Sequence, residues 1–155
     1  MHATLDELVA LHADYAAAVD GGDWAGWIAL FTADAVYRIV PRENHERGLP
    51  LATLALRGHG MLKDRAYAVG HTLFHDPYYQ RHVVGLPRVR AREADALALE
   101  THYAVFRTKL NGETTVFNVG RYLDRVVRER GALRLAERLV VYDSEMIPNS
   151  IIHPL

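Results

Sequence analysis

The chain has 155 residues, half of them hydrophobic and 24% charged, and 18 basic against 19 acidic side chains leave a formal net charge of −1. That suits one globular domain with a substantial core, without the basic excess that points to nucleic acid or an anionic membrane surface. It has no cysteine, which excludes disulfides, a thiol nucleophile, zinc knuckles and any cysteine-ligated iron–sulfur cluster.

The opening MHATLDELVALHADY carries acids inside its apolar run, so it is not a signal peptide, and no apolar run nears the ~20 residues of a membrane span. The expectation is a cytoplasmic protein. Thr4 caps a first helix, with Asp6 and Glu7 in its first turn. Leu5, Leu8, Val9, His12, Tyr15, Ala16 and Val19 recur at helical spacing as its buried face, and Gly21-Gly22 ends it. Asp23 caps a short second helix, with Trp24, Trp27, Ile28 and Phe31 on one side as core. Asp34 sits in a turn, and residues 35–40 read as a strand stopped by Pro41.

Residues 42–50, RENHERGLP, are polar and read as a loop. Residues 58–70 form a third helix. Residues 70–79 are irregular, because Pro77 disfavours helix at Asp76. Residues 81–92 alternate as a strand interrupted at Gly85-Leu86-Pro87, and residues 97–108 alternate more cleanly. Residues 110–113 make the turn into the longest element, a hairpin over residues 114–143 that turns at Glu129-Arg130-Gly131-Ala132. Even spacing puts Phe117, Val119, Leu123 and Val127 on one face of its first arm. It puts Leu133, Leu135, Leu139 and Val141 together on the second arm, with Arg134 and Arg138 opposite. The tail after Asp143 is apolar (Ile147, Ile151, Ile152, Leu155), as in segments that dock on their own domain or a neighbour. The order is α+β: one domain over residues 1–155, three helices in the N-terminal half packed on a curved, mostly antiparallel sheet.

Nine histidines call for weighing. His71, His75 and Asp76 have the composition of a non-haem iron set, but the surrounding Thr72-Leu73-Phe74 and Pro77 oppose the helix that would align them. His82, early in a strand, could form an acid–base pair with Asp20 or Tyr15, or with Asp34; a histidine hydrogen-bonded in or beside the core is the simpler explanation. Arg42, Arg47, Arg57, Lys63 and Arg65 bracket the RENHERGLP loop, where forked donors could meet a small acid or the acidic surface of another subunit. There is no phosphate-binding glycine loop, nucleophile elbow or HExxH pair.

Taken together, DWAGWIALFTADAVYRI, RENHERGLP, GMLKDR, YQRHVVGLPRV, GRYLDR, LRLAERLVVYDS and the final IIHPL resemble, in order, the small (β) subunit of aromatic-ring-hydroxylating dioxygenases. The likeness is to the branch acting on aryl carboxylates such as terephthalate, anthranilate and salicylate. Between Gly70 and Gln80 the chain departs from that branch, and of the segment GHTLFHDPYYQRH only Arg81 and His82 keep their places. The resemblance implies a cone like those of ketosteroid isomerase and scytalone dehydratase. It also implies a partner α subunit, which carries the Rieske 2Fe–2S cluster and a mononuclear Fe(II), and a trimer of β subunits. No cofactor or metal is expected in this chain, since without cysteine it cannot supply the thiolates of a Rieske centre.

On that reading the chain is structural and has no catalytic residue. Arg42, Asn44, His45, Arg47, Arg121, Arg125, Arg134 and Arg138 are its candidates for subunit contacts. The alternative is a stand-alone dehydratase or isomerase of the same fold using His82 with Asp20 or Tyr15. Ketosteroid isomerase uses an aspartate base in such a cavity. Here the first strand places Ile39 about where that base would sit, which counts against proton abstraction.

Overall fold

The computed structural model describes residues 1–144 and 151–155. Ile147, one of the apolar tail residues above, lies outside the described residues. Helix α1 spans Leu5–Gly21 and α2 spans Trp24–Ala29; strand β1 is Phe31–Pro41. A short helix α3 (Arg42–Glu46), strand β2 (Leu54–Arg57) and helix α4 (Gly58–Tyr67) follow, α4 running into a π-helical turn at Ala68–Thr72. Then come β3 (Tyr78–Val84), β4 (Arg88–Arg92), β5 (Ala96–Lys109), β6 (Thr114–Glu129) and β7 (Ala132–Tyr142).

The seven strands form one sheet in the order β2-β1-β7-β6-β5-β3, with β4 also on β5. Among the described residues only β1 and β7 run parallel, and the other pairings are antiparallel. Helices α1, α2 and α4 pack on one face. The α+β architecture is as the sequence implies, with two additions. The start of RENHERGLP is helical, its turn tied by Arg42 to Glu46 and by Arg47 to Glu43. The residues after it supply an edge strand.

Local chemistry explains the element ends. Thr4 and Glu7 form a reciprocal capping box, and Asp23 caps α2 through the Gly26 N–H. The β6–β7 loop has two residues, Arg130 (φ 51°) and Gly131 (φ 86°). Both lie in the left-handed region that a tight hairpin with matched twist demands. On α1 the buried stripe is Leu8, Leu11, His12, Tyr15, Ala18 and Val19. Leu5 and Val9, expected inside, are exposed, because the helix is rotated toward β3 and β7.

The facing of the long hairpin differs from simple alternation, and two β-bulges are the reason. On β6 the pairing with β5 steps from Asn118 to Val116, so Phe117 and Asn118 are both buried. Beyond this bulge Tyr122, Asp124 and Val126 face the helices, while Val119, Leu123 and Val127 face outward. On β7 the register steps from Glu137 to Leu135, leaving Ala136 as the extra residue. A one-residue step inverts every later side chain. Leu133 and Leu135 point inward as expected; after the bulge Arg138, Val140 and Tyr142 point inward, and Leu139 and Val141 do not. Val40 and Val141 pair on the outer side and are still buried, since α3 packs on β1 and β7 there.

Gly120 sits mid-strand opposite Tyr142. A Cβ there would collide with the Val141 carbonyl and lie 2.8 Å from Tyr142 Cα. Both are backbone atoms that cannot swing aside. Gly120→Ala should therefore destabilise the fold by about 1–3 kcal/mol, read as an earlier urea midpoint at unchanged slope.

Candidate functional site

The inner face of the sheet and the helices across it enclose the conical interior. Asp20, near the end of α1, reaches β3. Its Oδ1 lies 2.6 Å from His82 Nδ1, and its Oδ2 accepts the His82 backbone N–H at 2.8 Å. The pair named from sequence therefore exists, and both side chains are almost wholly buried. His82 Nε2 is buried without a hydrogen bond among the described residues. Tyr15 meets the His82 ring only edge-on, at 6.5 Å between centroids. Asp34, expected in a turn, lies within β1, where the pairing with β7 is irregular between Phe31 and Val36, and it accepts a hydrogen bond from Thr32.

The Tyr15 hydroxyl is directed elsewhere. It donates to the main-chain oxygen of Leu155 at 2.7 Å, and Tyr37 donates to the same oxygen at 3.1 Å while accepting the Leu155 N–H at 2.9 Å. Burial pushes both phenols up, Tyr37 well above its ordinary value with the neighbouring Tyr15 adding to the effect. They therefore remain protonated donors. Arg65 Nη2, from α4, donates to the carbonyls of Ile151 (2.7 Å) and Ile152 (2.6 Å). Burial, then the nearby His75 and Arg65, hold the His153 imidazole down at about 4, so it is neutral at pH 7. The tail expected to dock on its own domain or a neighbour packs, over residues 151–155, into its own cone. Leu155 and Ile151 join the main core.

Deeper in, Arg138 is fully buried. Its Nε and Nη2 form a fork to Asp124 at 2.9 and 2.7 Å. The guanidinium lies between the rings of Tyr15 (4.0 Å) and Tyr122 (4.1 Å). His12 Nε2 approaches Asp124 Oδ2 and the Thr101 hydroxyl, each at 3.2 Å. Burial opposes ionisation of Asp124, yet the Arg138 charge and the bonds from His12 and Arg138 outweigh it and hold the carboxyl below its ordinary range. Arg138, expected on the free face as a subunit contact, is thus an internal residue. The cause is the Ala136 bulge, which turned it inward.

The other interface candidates are on the outside. His45, Arg121 and Arg125 line one hollow of about 500 Å³ on the outer sheet face, together with Leu123, Glu137 and Leu139. Arg125 is held by Glu93 and Asp95, each at 3.1 Å. Arg121 Nε is buried with no hydrogen bond among the described residues. Arg42 pairs with Glu46 and Asp143, Asn44 donates to the Leu51 carbonyl, and Arg47 pairs with Glu43. Arg134 lies apart, beside Arg128 near the hairpin turn.

The structure does not assemble the possible iron set. His71 bonds the Tyr67 carbonyl and stacks on its ring at 4.5 Å. Asp76 pairs with Lys109 at 2.7 Å, which lowers its pKa, and His75 packs beside Tyr78 and His153. Among the described residues no three His, Asp or Glu side chains are grouped to hold a metal. Tyr37, Asp124 and Tyr122 were missed as interior polar residues. Their signal, a polar or phenolic residue at every second strand position, was masked by the aliphatic residues on the opposite face.

Comparison with known proteins places this geometry. The model of the SnoaL-like domain matches residues 3–139. The β1 subunit of the terminal oxygenase component of terephthalate 1,2-dioxygenase from Comamonas sp. is 34% identical over 96% of this chain and 97% of its own. The small subunit of anthranilate 1,2-dioxygenase from Burkholderia cepacia is 32% identical over 96% and 92%. A crystal structure described as the β subunit of an aromatic-ring-hydroxylating dioxygenase from Novosphingobium aromaticivorans superposes with a TM-score of 0.88 at 31% identity, covering 97% of this chain and 96% of that one. One described as a scytalone dehydratase from the same organism shares the fold alone, with a TM-score of 0.70 at 14% identity over 94% and 89%. The chain belongs to the SnoaL-like family and, within it, to the small (β) subunits of aromatic-ring-hydroxylating dioxygenases.

Proposed function

We propose that the chain is the non-catalytic β subunit of a multicomponent dioxygenase acting on an aryl carboxylate. It associates with a Rieske- and iron-bearing α subunit and with further copies of itself as a trimer, in the cytoplasm. The Rieske 2Fe–2S cluster and the mononuclear Fe(II) belong to that partner, and this chain holds no cofactor. Its role is to present surfaces. One observation carries this reading: the cone, where a catalyst of this fold would keep open space, is filled by the chain's own Leu155. The outer face, by contrast, keeps a charged hollow around Arg121 and Arg125.

The stand-alone enzyme has one observation in its favour, the His82–Asp20 pair. Against it, both Asp20 oxygens are bonded to His82, and the phenols beside it are engaged by the tail. No helix of the described residues is long and apolar enough to cross a membrane.

The test is assembly. Purified chain mixed with its α subunit should co-elute as a complex of defined mass by light scattering, and dioxygenase turnover should need both. Reversing charge with Arg121→Glu and Arg125→Glu should weaken assembly at least tenfold, since a like charge in an interface costs several kcal/mol. A wild-type chain that stays monomeric beside α, or that turns over an aromatic substrate alone, would refute the proposal.

A further inference from the structure

Arg90, Arg121 and Arg125 all line the outer hollow, and two of them are already engaged. Arg90 pairs with Glu100 at 3.0 Å, and Arg125 is held by Glu93 and Asp95. Arg121 has neither an ion pair nor a hydrogen bond among the described residues. Its cross-strand neighbours are His102 on β5 and Val141 on β7, and neither offers it a carboxylate. Its Nε is buried, so the two terminal amino groups make the fork that remains on the hollow. Beside that fork Leu123 and Leu139, both half-buried, form an apolar floor. A fork above an apolar floor fits a carboxylate carried on a short apolar stem.

The source of that carboxylate follows from the setting. On an open face a single guanidinium holds a free acid only weakly. A carboxylate fixed on a folded partner is different, because the contacts around it exclude water and supply the rest of the affinity. A second copy that met this hollow with its own would bring arginine against arginine, and like charges in an interface repel. The surface that fits is acidic and belongs to another chain. We infer that the hollow receives an aspartate or glutamate side chain of the α subunit, and that Arg121 is the residue it pairs with. Arg90 and Arg125 shape the hollow through their own acids. The inference rests on the subunit reading above and adds the residue and the partner chemistry.

The test measures α binding and stability in the same full-length variants. Titrating purified α subunit into the labelled chain gives the affinity, and urea unfolding of the isolated chain gives the stability. Arg121→Gln should weaken α binding about tenfold or more, the loss expected for a charge-assisted pair. Its urea midpoint should not fall, since Arg121 has no partner within the chain. Arg121→Lys keeps the charge without the planar fork and should recover only part of the affinity. Arg125→Gln should behave in the opposite way: its midpoint should fall as the ties to Glu93 and Asp95 break, and α binding should weaken by less than about fivefold. Equal α affinity of wild type and Arg121→Gln overturns the inference and leaves the subunit reading standing. The same holds if Arg121→Gln loses only self-association by light scattering, which would assign the hollow to a second copy. A wild-type chain that does not bind α overturns both.

Discussion

Asp124→Ala should destabilise the folded chain by roughly 3–5 kcal/mol, the usual cost of breaking a buried ion pair from one side. The substitution leaves the Arg138 guanidinium fully buried between two tyrosine rings with no counter-charge. Arg138→Met alone should cost a similar amount, because Asp124 would then face only His12 and Thr101. The double variant Asp124→Leu/Arg138→Met should recover most of the loss, since a well-packed apolar pair of similar volume is often no worse than a buried salt bridge. Urea denaturation of the wild type, Asp124→Leu, Arg138→Met and the double variant closes the cycle and gives the coupling directly. Additive losses in the double variant would show that packing around each residue, and not charge pairing between them, sets the energy of the site.

The same pair predicts an acid limit. Asp124 has a lowered carboxyl pKa in the folded chain, so it binds fewer protons folded than unfolded. Its contribution is complete above the unfolded value of ~3.9 and is lost as pH falls through the lower folded value. Wild-type stability should therefore drop with acid below about pH 4–5, and the double variant should lose less over that window.

Asp20→Ala should cost about 2–4 kcal/mol, because it strands two buried donors at once, the His82 backbone N–H and its ring N–H. Asp20→Asn keeps one acceptor and should lose about half as much. Hydrogen exchange at the His82 amide is the local readout, and protection there should fall in both variants. Reconstituted dioxygenase turnover per folded complex should stay near wild type, since the pair ties the end of α1 to β3. A stable Asp20→Asn protein whose complex has lost turnover would instead give the pair a chemical role.

Most of the architecture was legible in the sequence because it rests on long periodic runs. The Thr4 cap, the Gly21-Gly22 stop, the break at Gly85-Leu86-Pro87 and the two-residue turn at Arg130-Gly131 are local signals, and each lies where the chain implied. The inside and outside of β6 and β7 were not legible. A bulge is one residue with no signature of its own, and at Ala136 it reverses every side chain that follows. The aliphatic Leu123 and Leu139 looked like core, whereas the true interior holds Asp124, Arg138 and Tyr122. In this cluster Arg138 and His12 engage the Asp124 carboxylate, and the Tyr122 ring stacks on the guanidinium while its hydroxyl makes no hydrogen bond among the described residues. The sequence offers Asp20 as one of three partners for His82, and the structure brings these two together. That their pairing consumes both carboxylate oxygens depends on a contact 62 residues apart in the chain, which no local pattern can show.

The parallel neighbours β1 and β7 are separated by about ninety residues of chain. During synthesis at roughly 5–20 residues per second, the first strand must wait for several seconds before its companion leaves the ribosome. Over that interval the apolar stripe of α1 and the aromatic side of α2 have no sheet to cover them. Nascent chains of this protein should therefore be prone to self-association before release, and slower growth at low temperature or simultaneous production of a holdase chaperone should raise the yield of native material.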